Sequence, residues 1–284
     1  GKGHLRINDK TNKVYFVQFY SYLSRSQTRL EGTYQYAGIN FQNFTNYRGN
    51  ANNKSWYARV DQYLWKRQFH IILSARKNDF SNPLIVQNYS SNTVFKTLSA
   101  TFRKRYWPTI SLGYTPSSQY TVIDRQVYEN KYQTLTINLN HLYKFGEATF
   151  VTAFTYNRFF NKSNDSAFIY YNANNFYVYQ QIMFTGYTAM IGYSRTVNAQ
   201  YALDIMEAGI NMNLFKQNTL GFGTKINRFG NNEVRLGFYV NGRWHVNHLG
   251  DINLWYEKGY LPGYQRLLVK NEWLTLGFIR YFKL

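Results

Sequence analysis

The sequence contains no cysteine, which excludes disulfide bonds, thiolate metal sites and cysteine nucleophiles. No stretch approaches the roughly 18 consecutive apolar residues that a membrane-spanning helix requires. Only four prolines are present, which is too few for a proline-rich or disordered chain. Together these absences favour a folded protein without disulfides or long apolar helices.

Acidic residues are also scarce. Fourteen Asp and Glu stand against 33 Lys and Arg, giving a formal net charge of +19. Such an imbalance favours an anionic partner: nucleic acid, a lipid surface or an anionic solute. Few carboxylates remain for acid–base pairs of the glycosidase type, and the G-x-S-x-G motif of esterases is absent. We therefore predict a non-enzymatic protein with no catalytic residues, no metal and no cofactor.

Aromatic residues, in contrast, are abundant: 28 Tyr and 22 Phe occur in a chain whose mean hydropathy is −0.49. Apolar and polar residues alternate over long segments, which is the period of a β-strand with one apolar face. No ten-residue segment predicts a helix. The clearest alternating segments are 56–64, 69–76, 133–143, 206–214 and 234–243.

Counting such segments predicts about 16 strands, or 14 if the first pair lies outside the sheet. The predicted ranges are 4–9, 13–23, 31–44, 54–64, 68–77, 93–103, 108–115, 132–143, 148–158, 175–184, 187–196, 201–214, 218–227, 233–245, 251–257 and 271–282.

The predicted connections alternate between short turns and long loops, and their charges differ. The short turns, near 65–68, 103–107, 144–147, 185–186 and 216–218, carry Lys66, Arg67, Arg103, Lys104, Arg105, Lys144 and Lys216, with Glu147 as the exception. The long loops, near 45–54, 78–92, 116–131, 159–175 and 258–267, hold Asp79, Asp124, Glu129 and Asp165. Outer-membrane barrels have short periplasmic turns and longer outer loops. We predict an all-β, antiparallel, up-and-down transmembrane β-barrel formed by a single domain, 1–284, with both termini periplasmic.

The chain ends on "NEWLTLGFIRYFKL", in which Thr275, Gly277, Phe278 and Phe282 fit the assembly signal of outer-membrane barrels. Arg280 departs from that signal because it stands where a hydrophobic residue is expected. On these residues the sequence resembles Gram-negative outer-membrane β-barrel proteins, and its Asn-, Tyr- and Lys-rich composition resembles those of the Bacteroidetes.

The resemblance implies a location in the cell outer membrane, contact with its lipid and lipopolysaccharide, and folding by the barrel-assembly machinery. Bacteroidetes barrels are often parts of larger complexes. The start, "GKGHLRIND", has neither an initiating Met nor a signal peptide, which is compatible with the membrane domain of a longer chain. In a closed barrel the last strand would pair with the first, so the aromatic ending would be a closing seam.

Four arginines are predicted on the polar, inward face of the strands: Arg59, Arg76, Arg235 and Arg243. They either form a basic pore that selects anions or pair internally with Asp61, Glu207 and Glu257. Lys96 interrupts the apolar face of its strand, which predicts a position near a membrane interface. Strand glycines such as Gly209 and Gly223 mark either bends or close packing of an aromatic side chain.

The sequence contains one candidate metal site, formed by His245, His248 and Asp251. A His-x-x-His pair with a nearby carboxylate is a possible ligand set, but a polar hairpin explains the same residues without a metal.

These observations favour a subunit of a larger outer-membrane secretion, assembly or uptake complex, with other outer-membrane or periplasmic subunits as partners. One alternative is a stand-alone porin-like channel for anionic or polar solutes. A second alternative is a soluble basic β-protein that binds nucleic acid or polysaccharide. No nucleic-acid recognition motif is present. We therefore do not predict that the outer-membrane subunit binds nucleic acid.

Overall fold

The computed structural model describes residues 13–38, 52–82, 89–123, 126–164, 172–215, 218–230, 233–246, 249–263 and 267–280. Its regular elements are all β-strands, and no helix among these residues is long and apolar enough to cross a membrane. The strands are β1 (Val14–Leu23), β2 (Thr28–Ala37), β3 (Asn52–Leu64), β4 (Phe69–Asn82), β5 (Tyr89–Phe102), β6 (Thr109–Ile123), β7 (Gln126–Phe145), β8 (Ala148–Ser163), β9 (Ala173–Met183), β10 (Tyr187–Asn198), β11 (Ala202–Leu214), β12 (Asn218–Phe229), β13 (Glu233–Val246), β14 (Gly250–Pro262) and β15 (Leu268–Ile279).

Each strand pairs with its neighbours in sequence, giving one sheet in the order β1 to β15. The registers between β1 and β5 and between β9 and β15 are all antiparallel. This confirms the predicted all-β, up-and-down architecture. Fifteen of the predicted strands are present, and the remaining one, 4–9, lies outside the described residues.

The described residues do not form the predicted closing seam. Within them β1 pairs with β2 alone and β15 pairs with β14 alone. In the described part of the chain, one backbone edge of each of these two strands therefore has no strand beside it.

Several predicted loops are wrong because the strands continue through them. The predicted loop 116–131 is mostly strand, since β6 continues to Ile123 and β7 begins at Gln126. Residues 117–119 are polar on both faces, so the alternation ends there while the strand itself continues. Two of the four acidic residues assigned to loops, Asp79 and Glu129, consequently lie in strands and pair with a lysine of the same strand, whereas Asp124 and Asp165 lie outside the described residues. The pairs are Asp79 with Lys77 at 3.2 Å and Glu129 with Lys131 at 3.0 Å.

The contacts divide the chain into two compact units. Unit 1 comprises residues 1–103, 111–136 and 158–172, and unit 2 comprises residues 104–110, 137–157 and 173–284. Unit 1 contains the sheet from β1 to β5, and unit 2 contains the sheet from β9 to β15.

One face of the sheet in each unit is apolar and exposed. In unit 2, Ile191 is 58% exposed, Leu236 is 62% exposed and Leu276 is 72% exposed. In unit 1, Leu73 and Leu98 are exposed in the same way on neighbouring positions of β4 and β5. Exposed apolar surface costs about 25 cal/mol per Å² in water, so such extensive exposure is typical of a surface that contacts lipid or another protein.

The buried apolar cluster is small by comparison. Leu203, Phe229 and Leu268 form it in unit 2, with Tyr201 and Tyr260 among the residues packed against it. It lies where β11 begins and β12 ends, so it fixes one end of these strands rather than a central core. Few of the described apolar side chains are buried and many are exposed, which is the distribution expected of a membrane β-barrel.

Candidate functional site on the polar face

Three of the four predicted polar-face arginines lie beside carboxylates. The pairs are Arg59 Nε with Asp61 Oδ2 at 2.9 Å, Arg235 Nε with Glu233 Oε1 at 3.1 Å, and Arg243 with Asp251. The fourth, Arg76, donates to Asn78 Oδ1 at 3.2 Å. Of the two interpretations of these arginines, the contacts favour internal ion pairing over a ring of unpaired cations.

Two buried aspartates each join an arginine and a histidine. Asp251 is 1% exposed, and its Oδ1 lies 2.7 Å from His245 Nδ1 across the β13–β14 pair. Asp61 is 5% exposed, and its Oδ1 lies 3.3 Å from His70 Nε2 across the β3–β4 pair. Because each trio lies near the turn that joins its two strands, it ties the ends of a hairpin together.

The candidate metal set does not assemble within the described residues. His245 contacts Asp251, and His248 lies outside the described part of the chain. No group of three or more potential metal-ligating His, Cys, Asp or Glu occurs among the residues that the structure describes.

Glu207 and Glu257, the two other carboxylates predicted to pair with the arginines, lie on the polar face. Their partners are residues that the sequence did not indicate. Glu257 accepts from Lys225 Nζ at 2.6 Å, and Glu207 accepts from the Tyr177 hydroxyl at 3.4 Å. Lys225 shares the parity of Gly223 on β12, so alternation could have placed it on this face. Its partner could not be inferred, because cross-strand register is not visible in alternation.

Unit 2 contains a groove of about 440 Å³ on its polar face. The strand register brings Asn211, Gly221, Asn241, Trp255 and Thr275 into one row across β11 to β15. Asn amides both donate and accept hydrogen bonds, as sugar hydroxyls and peptide groups require of a partner. The residues that line the groove include Asn211, Thr219, Asn241, Arg243, Asn253, Leu254, Trp255 and Thr275.

A stack of aromatic rings stiffens this face. Tyr239 lies parallel to Trp255, with ring centroids 5.6 Å apart, and Trp255 stacks on Trp273 at 5.9 Å. Tyr239 is only 3% exposed because it lies across Gly209 and Gly223. These two glycines therefore provide room for an aromatic side chain, one of the two roles predicted for them.

The predicted basic turns present aromatic side chains together with their charges. Lys66 and Arg67 join β3 to β4, where Trp65 is 70% exposed. Lys104 lies 5.0 Å from the Trp107 ring centroid, and Arg105 lies 4.8 Å from that of Tyr106. Arg103 precedes them directly, at the end of β5.

The proposed assembly signal lies in β15 and beyond it. Thr275 faces the polar side with Gly277, whereas Leu274, Leu276 and Phe278 form the apolar row. Phe282 lies outside the described residues. Its role in assembly, like that of Thr275, Gly277 and Phe278, stays a prediction.

No protein-family profile and no curated protein matches the sequence. Solved structures do match the fold. The siderophore receptor PirA from Pseudomonas aeruginosa matches with a TM-score of 0.53 at 10% identity, over 86% of this chain and 51% of its own. The alcaligin outer-membrane receptor FauA from Bordetella pertussis matches with a TM-score of 0.46 at 8% identity, over 92% and 55%. CdiB from Acinetobacter baumannii matches with a TM-score of 0.42 at 8% identity, over 93% and 59%.

The similarity to PirA shows that the chain has the fold of Gram-negative outer-membrane β-barrel proteins. The fold, with its exposed apolar rows, supports the predicted location in the cell outer membrane. The chain spans only about half the length of these solved chains, with shares of 51% to 59%.

Proposed function

We propose that this chain is a non-enzymatic outer-membrane β-barrel protein that works as a subunit of a larger secretion, assembly or uptake complex. The observation that supports the proposal is that, among the described residues, β1 pairs only with β2 and β15 pairs only with β14. Lipid and lipopolysaccharide surround the subunit, and the barrel-assembly machinery inserts it.

The two edges that lack a neighbouring strand among the described residues are long, and both strands expose apolar side chains. β15 has 12 residues, and its side chains are exposed on both faces along most of its length. β1 has ten residues, with Phe16, Val17 and Phe19 each more than half exposed. In hydrocarbon, every unpaired N–H or C=O costs several kcal/mol, so a spanning sheet needs a strand at each edge. In the proposed complex, strands of partner subunits occupy these edges.

The groove in unit 2 supports one alternative, a channel for polar solutes. Its amides contact a solute in the aqueous lumen of a barrel, while Trp255 presents an aromatic surface. The pairing of Arg235 and Arg243 with carboxylates argues against selection of anions by these two residues. The alternative function is therefore a channel for neutral polar solutes.

Native mass spectrometry of the protein extracted from its own membrane in mild detergent distinguishes these functions. The subunit proposal predicts an assembly heavier than one copy of the same protein weighed under denaturing conditions, with the same partner in fixed stoichiometry in every preparation. A species with the mass of one denatured copy that conducts ions in planar bilayers, with a current changed by Asn241→Arg, would instead establish the channel. Ser26→Arg, in the turn between β1 and β2, is a control that leaves the groove unchanged.

A further inference from the structure

The lipid-facing surface of unit 1 contains two adjoining grooves, which meet at Tyr114. The larger has a volume of about 380 Å³ and the smaller about 220 Å³. Apolar side chains form most of the larger groove, namely Ala58, Val60, Leu73, Ala75, Leu98 and Pro116. Its depth comes from Ala58 and Ala75, which are directly paired between β3 and β4.

A basic residue lines each groove. Lys96 belongs to the larger groove and is paired in register with Ala75. Arg158 belongs to the smaller groove, beside Phe160 and Leu135. Both are exposed, and neither has an ion-pair or hydrogen-bond partner among the residues that the structure describes. Asp79, four residues beyond Ala75 on β4, is paired with Lys77 at 3.2 Å.

The position of Lys96 along β5 indicates which leaflet it reaches. Six residues separate it from Phe102, where β5 ends at the basic turn, or roughly 20 Å at about 3.4 Å per residue. A strand tilt of about 40° reduces this to roughly 15 Å in a band about 25 Å tall. From there the lysine side chain can extend toward the interface on the side away from the basic turns. With those turns on the periplasmic side, that interface belongs to the outer leaflet.

We infer that the two grooves form a binding site for the lipid anchor of lipopolysaccharide, with acyl chains in the apolar grooves and phosphates on Lys96 and Arg158. That anchor carries a phosphate at each end of a disaccharide and several acyl chains. It matches two cations beside two grooves better than a phospholipid does, since a phospholipid has one phosphate and two chains. Phosphate oxygens form charge-assisted hydrogen bonds with both ammonium and guanidinium groups.

This site rests on the proposed outer-membrane function, because both grooves must face the bilayer. It adds a specific ligand and named contacts to that function. It does not depend on partner subunits, so the isolated chain in detergent is sufficient to test it.

The test is the affinity of the purified full chain for rough lipopolysaccharide in mixed micelles, measured by microscale thermophoresis. Lys96→Gln and Arg158→Gln should each weaken binding about tenfold, because each removes one charge-assisted hydrogen bond. Ala75→Leu should weaken it similarly while keeping both charges, since the new side chain fills the groove. That variant remains apolar on the lipid face, so it tests the site even if removal of Lys96 impairs insertion.

The matched control is Lys258→Gln in unit 2. Lys258 is paired in register with Phe238 and Glu272 and lines neither groove, so its removal should leave binding unchanged. Lipid anchor lacking one phosphate should bind about tenfold more weakly than the complete form. Equal affinity for phosphatidylglycerol, or equal loss in Lys258→Gln, would overturn the site. Because the assay uses the isolated chain, that result would leave the subunit proposal standing.

Discussion

Replacing Ile210 by arginine should lower the free energy of unfolding by about 2–4 kcal/mol, the cost of placing arginine on the lipid face near the middle of a bilayer. Ile210 lies within β11, paired in register with Phe222 on β12 and Ala189 on β10. Phe222 is 50% exposed on the same apolar face, so a charge placed between these residues faces hydrocarbon. The measurement is urea unfolding of the protein in lipid vesicles, followed by tryptophan fluorescence.

The next residue provides the matched control. Asn211 lies on the opposite face of the same strand and lines the polar groove. Asn211→Arg should therefore change the unfolding free energy by less than about 1 kcal/mol, because the new charge stays in water. Equal losses in both variants would contradict the assignment of the two faces.

Gly223→Ala should destabilise the protein by about 1–3 kcal/mol, the usual cost of overpacking. A Cβ at this position would lie 2.4 Å from Tyr239 Cζ and 2.5 Å from its Cε1. The ring has little room to move, because it also stacks on Trp255 and lies across Gly209. Urea unfolding measures the loss, and Trp255 beside the displaced ring should change its emission.

Two further variants separate overpacking from a general effect of alanine. Gly186→Ala introduces a Cβ with no heavy atom within 4 Å and should be close to neutral. Combining Gly223→Ala with Tyr239→Ala removes the clash, so the double variant should be more stable than the sum of the two single effects implies. Additive effects in the double variant would show that Tyr239 does not occupy the space above Gly223.

Sequence alternation predicts strands well where one face meets lipid and fails where both faces are polar. The sequence predicts β11 at 201–214 and the strand lies at Ala202–Leu214, with apolar residues at alternate positions from Met206 to Leu214. β6 was predicted to end at 115 and continues to Ile123. Along that extension, backbone pairing maintains the strand. The side chains do not alternate in polarity there, so the sequence does not indicate a strand.

The candidate sites depend on which residues lie opposite one another, and this is the part that alternation cannot supply. Arg243 was predicted on the polar face, but its partner Asp251 lies on the next strand. The groove amides Asn211 and Asn241 belong to strands separated by β12 and meet above Gly221. Lys96 was recognised because it breaks the apolar parity of its strand, whereas its pairing with Ala75 required the register.

Membrane fractionation of cells that produce the full chain tests the membrane-barrel assignment most directly. The protein should sediment with the outer membrane, resist an alkaline carbonate wash, and enter solution only with detergent. The extracted protein should also migrate faster on a gel before heating than after, as a folded membrane β-barrel does. A chain that stays in the soluble fraction without detergent and shows no heat-dependent mobility would contradict a membrane β-barrel.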